Sequence, residues 1–318
     1  MRDSGEKINY TLRPAKGVER KILCDILSKC ETTVPIHNYR YIGFGSFYYS
    51  DFILFHNQLN IEKMISIESS TDIDRYTFNK PYKCVDLIQG DSATVLGSQI
   101  EFSKETRDII WLDYDGTFSK EMIADFITIA SKISPDSFLF SSFNSSIISP
   151  HIEMEKQYIE LKEQFGDFLP EVDPKNISEA QIPGIVYEII DGAIQKAVNE
   201  RNIVEDTKII AKSFFYVKYR DGAPMLTIGY YFSDADGWAH FQSSKAKDSP
   251  WFSTEKNPQK ITIPCFTKAE IIAINRYLPG STPSEILSHI PHLKETDIAN
   301  YIKIYKYYPN FLDSNYYI

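Results

Sequence analysis

The sequence predicts an α/β protein with a doubly wound, mostly parallel sheet. Between residues 17 and 144, short and almost continuously apolar runs alternate with stretches of helical periodicity. Strands that are apolar on both faces are typical of a parallel sheet that helices cover on both sides. Two β-rich runs then follow over 207–232, joined at Asp221-Gly222, and Asp-Gly is a strong hairpin signal. The sheet is therefore expected to end in an antiparallel pair.

Each element follows from its apolar pattern. In the first helix, Val18, Ile22 and Ile26 recur at a spacing of four residues, which places them on one face. The strands are recognised as short runs rich in β-branched and aromatic residues. The predicted elements, in chain order, are a helix over 17–30, a strand over 39–44, a helix ending near 60, strands over 63–68, 82–91 and 107–116, a helix over 119–134, a strand over 136–144, a helix over 181–200 and the hairpin over 207–232.

Two further segments complete the predicted organisation. Residues 147–175 are mixed and charged, and they indicate a helical insertion rather than a core element. In the last part of the chain, Thr267 followed by Glu270 predicts a capping box at the start of a helix. We expect a domain over 1–245 with a seven-stranded sheet, and a helical C-terminal appendage over 246–318.

The composition limits the classes of function. The formal net charge of −9 gives no strong nucleic-acid signal, because phosphate binding needs a basic surface. No stretch approaches the ~20 apolar residues that a membrane-spanning helix needs. The four cysteines form no CxxC pair, so neither a zinc ribbon nor a disulfide framework is indicated. These features predict a cytoplasmic protein without a membrane partner.

A glycine turn, Gly43-Phe44-Gly45, separates the first strand from the helix that follows it. Residues without Cβ allow the backbone to approach a ligand closely, but a GxG alone fits a purely structural turn equally well. Tyr48 stands where nicotinamide-binding turns usually have a third glycine, and this bulky residue disfavours a diphosphate over the helix.

Polar residues follow the other parallel strands where each strand ends. Glu68 ends the strand after the glycine turn, at a position suited to accept hydrogen bonds from ribose hydroxyls. Asp91 and Ser92 stand at the end of the third strand, and Asp113-Tyr114-Asp115 stands at the end of the fourth. Ligands of open α/β sheets bind in the crevice outside these carboxyl ends. We therefore expect one ligand site that includes all four strand ends.

Over roughly residues 15–235 this arrangement resembles the class I S-adenosylmethionine-dependent methyltransferases, whose seven-stranded sheet has an antiparallel last strand. The resemblance implies that the turn Gly43-Phe44-Gly45 lies along the methionine part of S-adenosylmethionine. It also implies that Glu68 binds the ribose and that Asp91 with Ser92 borders the adenine. The family often has an acidic residue two places before the first glycine, where this chain has Tyr41.

Asp113 and Asp115 are the candidate catalytic residues. Alternate residues of a strand share a face, so these carboxylates suit a general base or a pair of metal ligands completed by Asn144. The alternative is that Asp113 caps the following helix and Asp115 only satisfies amides of the turn. We predict no metal site elsewhere, and we expect the motifs Asp234-Ala-Asp236-Gly237 and His289-Ile-Pro-His292 to be ordinary turns.

The first functional hypothesis is a methyltransferase that uses S-adenosylmethionine and acts on an acceptor which the sequence does not identify. The second is a non-catalytic module of the same fold that works with a protein partner in a larger assembly, for example in bacterial defence. The basic segment 13–21 either contacts the substrate beside the crevice or forms the solvated face of a helix, and the sequence leaves both interpretations open.

Overall fold

The computed structural model describes residues 13–149, 151–206 and 208–309. In these residues eight strands form one sheet in the order β3-β2-β1-β4-β5-β7-β6-β8, with helices on both faces. The strands are β1 (Arg40–Gly43), β2 (Lys63–Glu68), β3 (Val85–Gln89), β4 (Asp108–Thr117), β5 (Ser137–Asn144), β6 (Ile210–Asp221), β7 (Ala223–Ser233) and β8 (Gln259–Lys260). The helices are α1 (Pro14–Ser28), α2 (Ser50–Leu59), α3 (Ile73–Asn79), α4 (Ser92–Thr94), α5 (Lys120–Lys132), α6 (Met154–Phe165), α7 (Ile182–Val204), α8 (Ala235–Ser243), α9 (Lys268–Asn275), α10 (Pro283–His289) and α11 (Glu295–Ile304).

The predicted fold class is confirmed, with one correction to the sheet. The strands β1 to β5 pair in parallel, and β7 runs antiparallel between β5 and β6, as the hairpin signal predicts. The prediction of seven strands is wrong, because β8 adds an eighth strand parallel to β6. The hairpin therefore does not end the sheet. At two residues, β8 is too short to produce a periodic sequence signal.

Two apolar layers cover the faces of the sheet. Along β4, Ile109 and Trp111 face the layer that includes α1 and α2, whereas Ile110 and Leu112 face the layer that includes α5 and α7. All four side chains are buried, as expected for a strand that is covered on both faces. Continued to the next two residues, this alternation places Asp113 on the side of α1 and Tyr114 on the side of α5.

The predicted insertion contains a helix, α6, but this helix is part of the packing. Leu161 and Phe165 are fully buried in the same core layer as α5 and α7. The ring of Phe165 stacks on that of Phe118 at a centroid distance of 5.3 Å. The segment therefore lies against the residues that follow β4.

The C-terminal part is divided between two cores. Helices α9 to α11 surround a separate apolar cluster that includes Ile274, Ile286 and Ile298, and the predicted capping box of Thr267 and Glu270 is present. Trp251 and other residues near β8 instead pack in the layer of α1 and α2. The division of the chain at residue 245 stays a prediction.

Candidate functional site

The strand register brings the predicted site residues to one edge of the sheet. Gly43 lies opposite Ser66 of β2 and opposite Trp111 of β4. Two residues further along their own strands stand Glu68 of β2 and Asp113 of β4, and Gly45 follows the end of β1. Glu68 in turn lies opposite Gln89, the last residue of β3, two residues before Asp91. The carboxyl ends of four parallel strands therefore meet as the sequence predicts.

Glu68 is fixed against the glycine turn. Its Oε1 accepts hydrogen bonds from the backbone N–H of Ser46 at 3.1 Å and from the hydroxyl of Ser66 at 2.9 Å. Ser66 Oγ also accepts the N–H of Gly45 at 3.1 Å. The Glu68 side chain is largely buried, so these bonds hold a carboxylate in place directly beneath the turn.

The glycines of the turn are required by the chain's own packing. A Cβ on Gly45 would lie 2.4 Å from the ring of Tyr49 and 2.6 Å from Ser66 Oγ. A Cβ on Gly43 would lie 2.6 Å from the hydroxyl oxygen of Tyr41. Aromatic side chains therefore fill the space that the glycines leave, on the side of the turn that faces the protein. Close approach by a ligand is thus not the only reason for glycine at these two positions.

Tyr41 occupies the position at which the resemblance leads us to expect an acid, and its side chain contacts an acid from another element. Its buried hydroxyl donates a hydrogen bond to Oδ2 of Asp51, which lies in the first turn of α2. Burial raises the pKa of Asp51, and the nearby Arg20 opposes this shift. Asp51 was missed from the sequence, because its only signal is an acid near the start of the helix after the turn.

These residues fit S-adenosylmethionine better than a dinucleotide. A diphosphate at the start of α2 would meet the carboxylate of Asp51 and the side chain of Tyr48. S-adenosylmethionine has no phosphate, and its ribose hydroxyls can donate to a carboxylate such as Glu68. The donor and acceptor groups at this edge therefore suit the cofactor that the resemblance implies.

Asp91 and Ser92 stand at the start of α4, where their polar atoms are engaged. Both carboxylate oxygens of Asp91 accept hydrogen bonds from Thr94, one from the backbone N–H at 2.9 Å and one from the hydroxyl at 2.8 Å. Hydrogen bonds from Thr94 lower the pKa of Asp91. Ser92 donates to Oδ2 of Asp125 at 2.5 Å, and Tyr114 donates to the same oxygen at 2.6 Å. Asp125 lies on α5, and no sequence motif pointed to it.

Asp113 and Asp115 have different environments. Asp113 accepts a hydrogen bond from Lys16 Nζ at 2.7 Å, and Arg20 approaches its other oxygen at 3.9 Å. Asp115 lies within the stretch between Asp113 and Thr117, where the register of β4 with β5 shifts, and it is exposed. The Asn144 side chain, suggested as a third metal ligand, accepts the backbone N–H of Ser146 at 2.9 Å.

The basic segment at the start of α1 is not a solvated face. Lys16 is fully buried and bridges Asp113 and Glu19, with an Nζ to Glu19 Oε2 distance of 2.6 Å. The Lys16 ammonium also lies 4.5 Å from the centre of the Trp111 ring. Arg20 is nine-tenths buried on the same side of the helix. This arrangement places α1 over the carboxyl end of β4.

Other predicted features are ordinary structure. Asp234 caps α8 by accepting the N–H of Gly237 at 2.7 Å, and the His289 ring stacks on Tyr277. In the part of the chain that the structure describes, no group of three or more histidine, cysteine or acidic side chains is arranged to hold a metal ion. None of the helices described within 13–309 has both the length and the apolar character to span a bilayer.

Comparison with known proteins assigns the family. A family model described as "Putative O-methyltransferase" matches residues 8–316. No curated protein matches the sequence. Among solved structures, the N-methyltransferase NodS from Bradyrhizobium japonicum WM9 is 9% identical, covering 70% of this chain and 99% of that chain with a TM-score of 0.38.

Two further solved structures are similar at the same level. An O-methyltransferase family protein from Burkholderia thailandensis is 8% identical, covering 68% of this chain and 57% of that chain, with a TM-score of 0.32. LepI in complex with SAM is 9% identical, covering 66% of this chain and 46% of that chain, with a TM-score of 0.36. The family model, in contrast, spans almost the whole sequence, and the chain therefore belongs to this family of S-adenosylmethionine-dependent methyltransferases.

Proposed function

We propose that this enzyme transfers the methyl group of S-adenosylmethionine to an oxygen atom of its acceptor, at the carboxyl edge of β1 to β4. The observation that carries the proposal is that the glycine turn after β1, Glu68 at the end of β2 and Asp113 of β4 lie at one carboxyl edge of the sheet, where the Ser46 amide of the turn donates to Glu68. The description of the family supports oxygen as the acceptor atom.

In this proposal the cofactor lies across the carboxyl ends of the parallel strands. The turn Gly43-Phe44-Gly45 lies along its methionine part, and Glu68 accepts hydrogen bonds from its ribose hydroxyls. Asp91 and Ser92 border its adenine. Glu68 suits its role because Ser46 and Ser66 already fix the carboxylate, so little side-chain entropy is lost when the ribose binds.

Asp115 is the proposed general base. S-adenosylmethionine supplies a methyl group bound to a positively charged sulfur. The enzyme must hold the acceptor oxygen in line with that bond and remove the acceptor's proton. Asp115 is exposed at the end of β4, where an acceptor has access, whereas Asp113 is held by Lys16. Asp113 therefore serves as a fixed negative charge at the site and does not transfer the proton.

Calorimetric titration with S-adenosylmethionine tests the binding half of the proposal. Glu68→Gln keeps an oxygen for the Ser46 amide but replaces the carboxylate, so we expect affinity to fall about 10- to 150-fold, the value of a charged hydrogen bond. The matched control is Glu62→Gln. Glu62 is an exposed acid just before the first residue of β2, and this variant should bind S-adenosylmethionine like the wild type.

Three results would count against the proposal. If the wild type does not bind S-adenosylmethionine, or if Glu68→Gln binds it as tightly as Glu62→Gln does, the proposed cofactor site is wrong. If the chain binds the cofactor but methylates none of a panel of phenols, alcohols and carboxylic acids, the result supports the second hypothesis, a binding module with a protein partner.

A further inference from the structure

Arg20 is a buried cation whose hydrogen-bond donors are not used within the described part of the chain. Its side chain is 10% exposed, and its Nε is a buried atom without a hydrogen-bond partner among the described residues. Its ion-pair partner, Asp113, lies 3.9 Å from Nη2, which is too long for a hydrogen bond. An unsatisfied buried donor is costly, so such groups in folded proteins usually pair with a ligand or a water.

Arg20 lies beside the carboxyl edge of the sheet. It is on α1, one turn after Lys16, which binds Asp113 at 2.7 Å. The Asp113 side chain is 19% exposed near the end of β4, and the Arg20 guanidinium approaches its Oδ2. Burial raises the pKa of Tyr41 and of Asp51, and the charge of Arg20 opposes both shifts. The guanidinium is therefore close both to the end of β4 and to the residues beneath the glycine turn.

The acids near Arg20 are hydrogen-bonded to other groups. Asp113 accepts a hydrogen bond from Lys16 Nζ, and Asp51 accepts one from the hydroxyl of Tyr41. Arg20 balances these negative charges without forming a hydrogen bond to either of them. A guanidinium has five N–H donors in a planar fork, which matches the two oxygens of a carboxylate. The chemistry of the unused group thus suits an anionic ligand.

We propose that Arg20 binds a carboxylate of the methyl acceptor, so that the acceptors of this enzyme are hydroxy acids. This inference rests on the proposed function, since it names the class of acceptor for the same site. The acceptor would place its hydroxyl at Asp115 and its carboxylate at Arg20. Asp115 stands two residues beyond Asp113 on β4, about 7 Å along an extended strand. A benzene ring with a hydroxyl and a carboxylate in para positions has similar dimensions.

The acceptor is a better source of this carboxylate than the methionine part of the cofactor. Arg20 forms its ion pair with Asp113 of β4, and the end of this strand also carries the proposed base, Asp115. On the side of the glycine turn, the nearby acid is Asp51, and its carboxylate suits the ammonium group of a methionine better than its carboxylate. Arg20 is therefore available to an anion that binds at the end of β4.

The test measures methyl transfer to pairs of acceptors that differ in charge. The pairs are 4-hydroxybenzoate with 4-hydroxybenzamide, and 4-hydroxyphenylacetate with 4-hydroxyphenylacetamide. Each pair keeps the phenol and replaces the carboxylate by a neutral amide. We expect the wild type to have a kcat/KM about 10- to 150-fold higher for the acids, the value of a hydrogen bond to a charged group. Chromatography against standards should identify the product as the methyl ether of the phenol.

Substitution of Arg20 should remove this preference without affecting the cofactor. In Arg20→Gln, kcat/KM for the acids should fall to the value for the amides, and the affinity for S-adenosylmethionine, measured by calorimetry, should stay within a few-fold of the wild type. Arg20→Lys keeps a positive charge but loses the planar fork, so it should keep only part of the preference. The control is Arg276→Gln, an exposed arginine at the end of α9, which should retain the full preference. Circular dichroism checks that each variant is folded.

The outcomes distinguish failure of this inference from failure of the proposed function. A wild type that does not bind S-adenosylmethionine, or that methylates no phenol, alcohol or carboxylic acid, overturns both. A wild type that methylates such compounds but does not prefer the hydroxy acids, or that converts them to methyl esters, overturns the inference alone. The inference is also wrong if Arg20→Gln keeps the preference, and a loss of S-adenosylmethionine affinity in that variant would assign the carboxylate to the cofactor. If Arg20→Gln does not fold, Arg20→Lys decides: an unchanged preference overturns the inference, and a reduced one supports it.

Discussion

At the level of single residues, the sequence predicts those candidate site residues that sit at the ends of strands. The glycine turn and Glu68 were identified as candidates because strand boundaries set their spacing. Asp51 and Asp125 were not identified, and Lys16 was noticed only as part of the basic segment 13–21, because each acts through a contact that only the fold creates. Lys16 and Asp113, for example, are 97 residues apart in the sequence and 2.7 Å apart in the structure.

Tyr41, which stands where the family often has an acidic residue, shows the same limit of sequence analysis. Taken by itself, a tyrosine in place of an acid suggests a weakened site. In the structure its hydroxyl binds the carboxylate of Asp51, which α2 brings beneath the same turn. An acidic group is therefore present at this point, supplied by the following helix. A pattern of fixed spacing cannot detect a side chain that reaches the site from another element.

A prediction at this scale concerns Asp115. If Asp115 is the general base, Asp115→Asn should lower the methylation rate by about 10²- to 10⁴-fold, because an amide cannot accept the acceptor's proton. Its affinity for S-adenosylmethionine should stay within a few-fold of the wild type. Methylation of a phenol or carboxylic acid that the wild type accepts, together with calorimetry of the cofactor, gives both values. A variant that instead loses cofactor binding or thermal stability would show that the carboxylate is structural.

At the level of elements, most helices and strands could be predicted, but not the groups that cap the ends of the helices. Helix α1 illustrates this point. Its N-cap residue, Arg13, forms no side-chain cap, and the free N–H groups of Ala15 and Lys16 are accepted by Asp221 of the β6–β7 hairpin, at 3.2 and 2.8 Å. A hairpin turn thus caps a helix about 200 residues earlier in the chain, which no local sequence signal records.

The second prediction follows from this cap. Asp221→Ala removes two backbone hydrogen bonds and a negative charge at the positive end of α1, so we expect a loss of about 1–2 kcal/mol in the free energy of unfolding. Urea denaturation measures the change. The control is Asp236→Ala, an exposed acid in the first turn of α8, which should change stability little. Equal effects of the two substitutions would contradict a capping role for Asp221.

At the level of the whole molecule, α1 is attached to the sheet by buried charges as well as by apolar packing. Glu19 and Asp113 both contact Lys16, so two carboxylates share one ammonium group, with Arg20 close to Asp113. Glu19 also accepts hydrogen bonds from Thr227 of β7 and Tyr219 of β6. The network joins α1, β4 and the hairpin directly below the candidate catalytic edge, and the integrity of that edge therefore depends on Lys16.

Replacement of Lys16 by methionine should accordingly be strongly destabilising. The substitution keeps an apolar stem but removes the cationic partner of the buried Glu19 and of the half-buried Asp113. We expect this to cost about 3–5 kcal/mol in the free energy of unfolding at neutral pH. Lys156→Met is the matched control, because Lys156 pairs with Glu153 on the surface, where both side chains are mostly exposed. Urea denaturation of both variants measures the two costs, and similar small values would show that the buried network contributes little.

The pH dependence of this cost identifies its electrostatic origin. Burial raises the pKa of Glu19 above its ordinary value of 4.5, and Lys16 is the main group that opposes the shift, so the pKa should be higher still in Lys16→Met. A carboxyl group with a raised pKa binds its proton more tightly in the folded state. The folded state then loses stability as the pH rises from the unfolded value through the folded one. The stability difference between wild type and Lys16→Met should therefore be smallest near pH 4 and grow toward pH 7. A difference that stays constant over this range would mean that Lys16 acts through the packing of its side chain against Trp111 rather than through its charge.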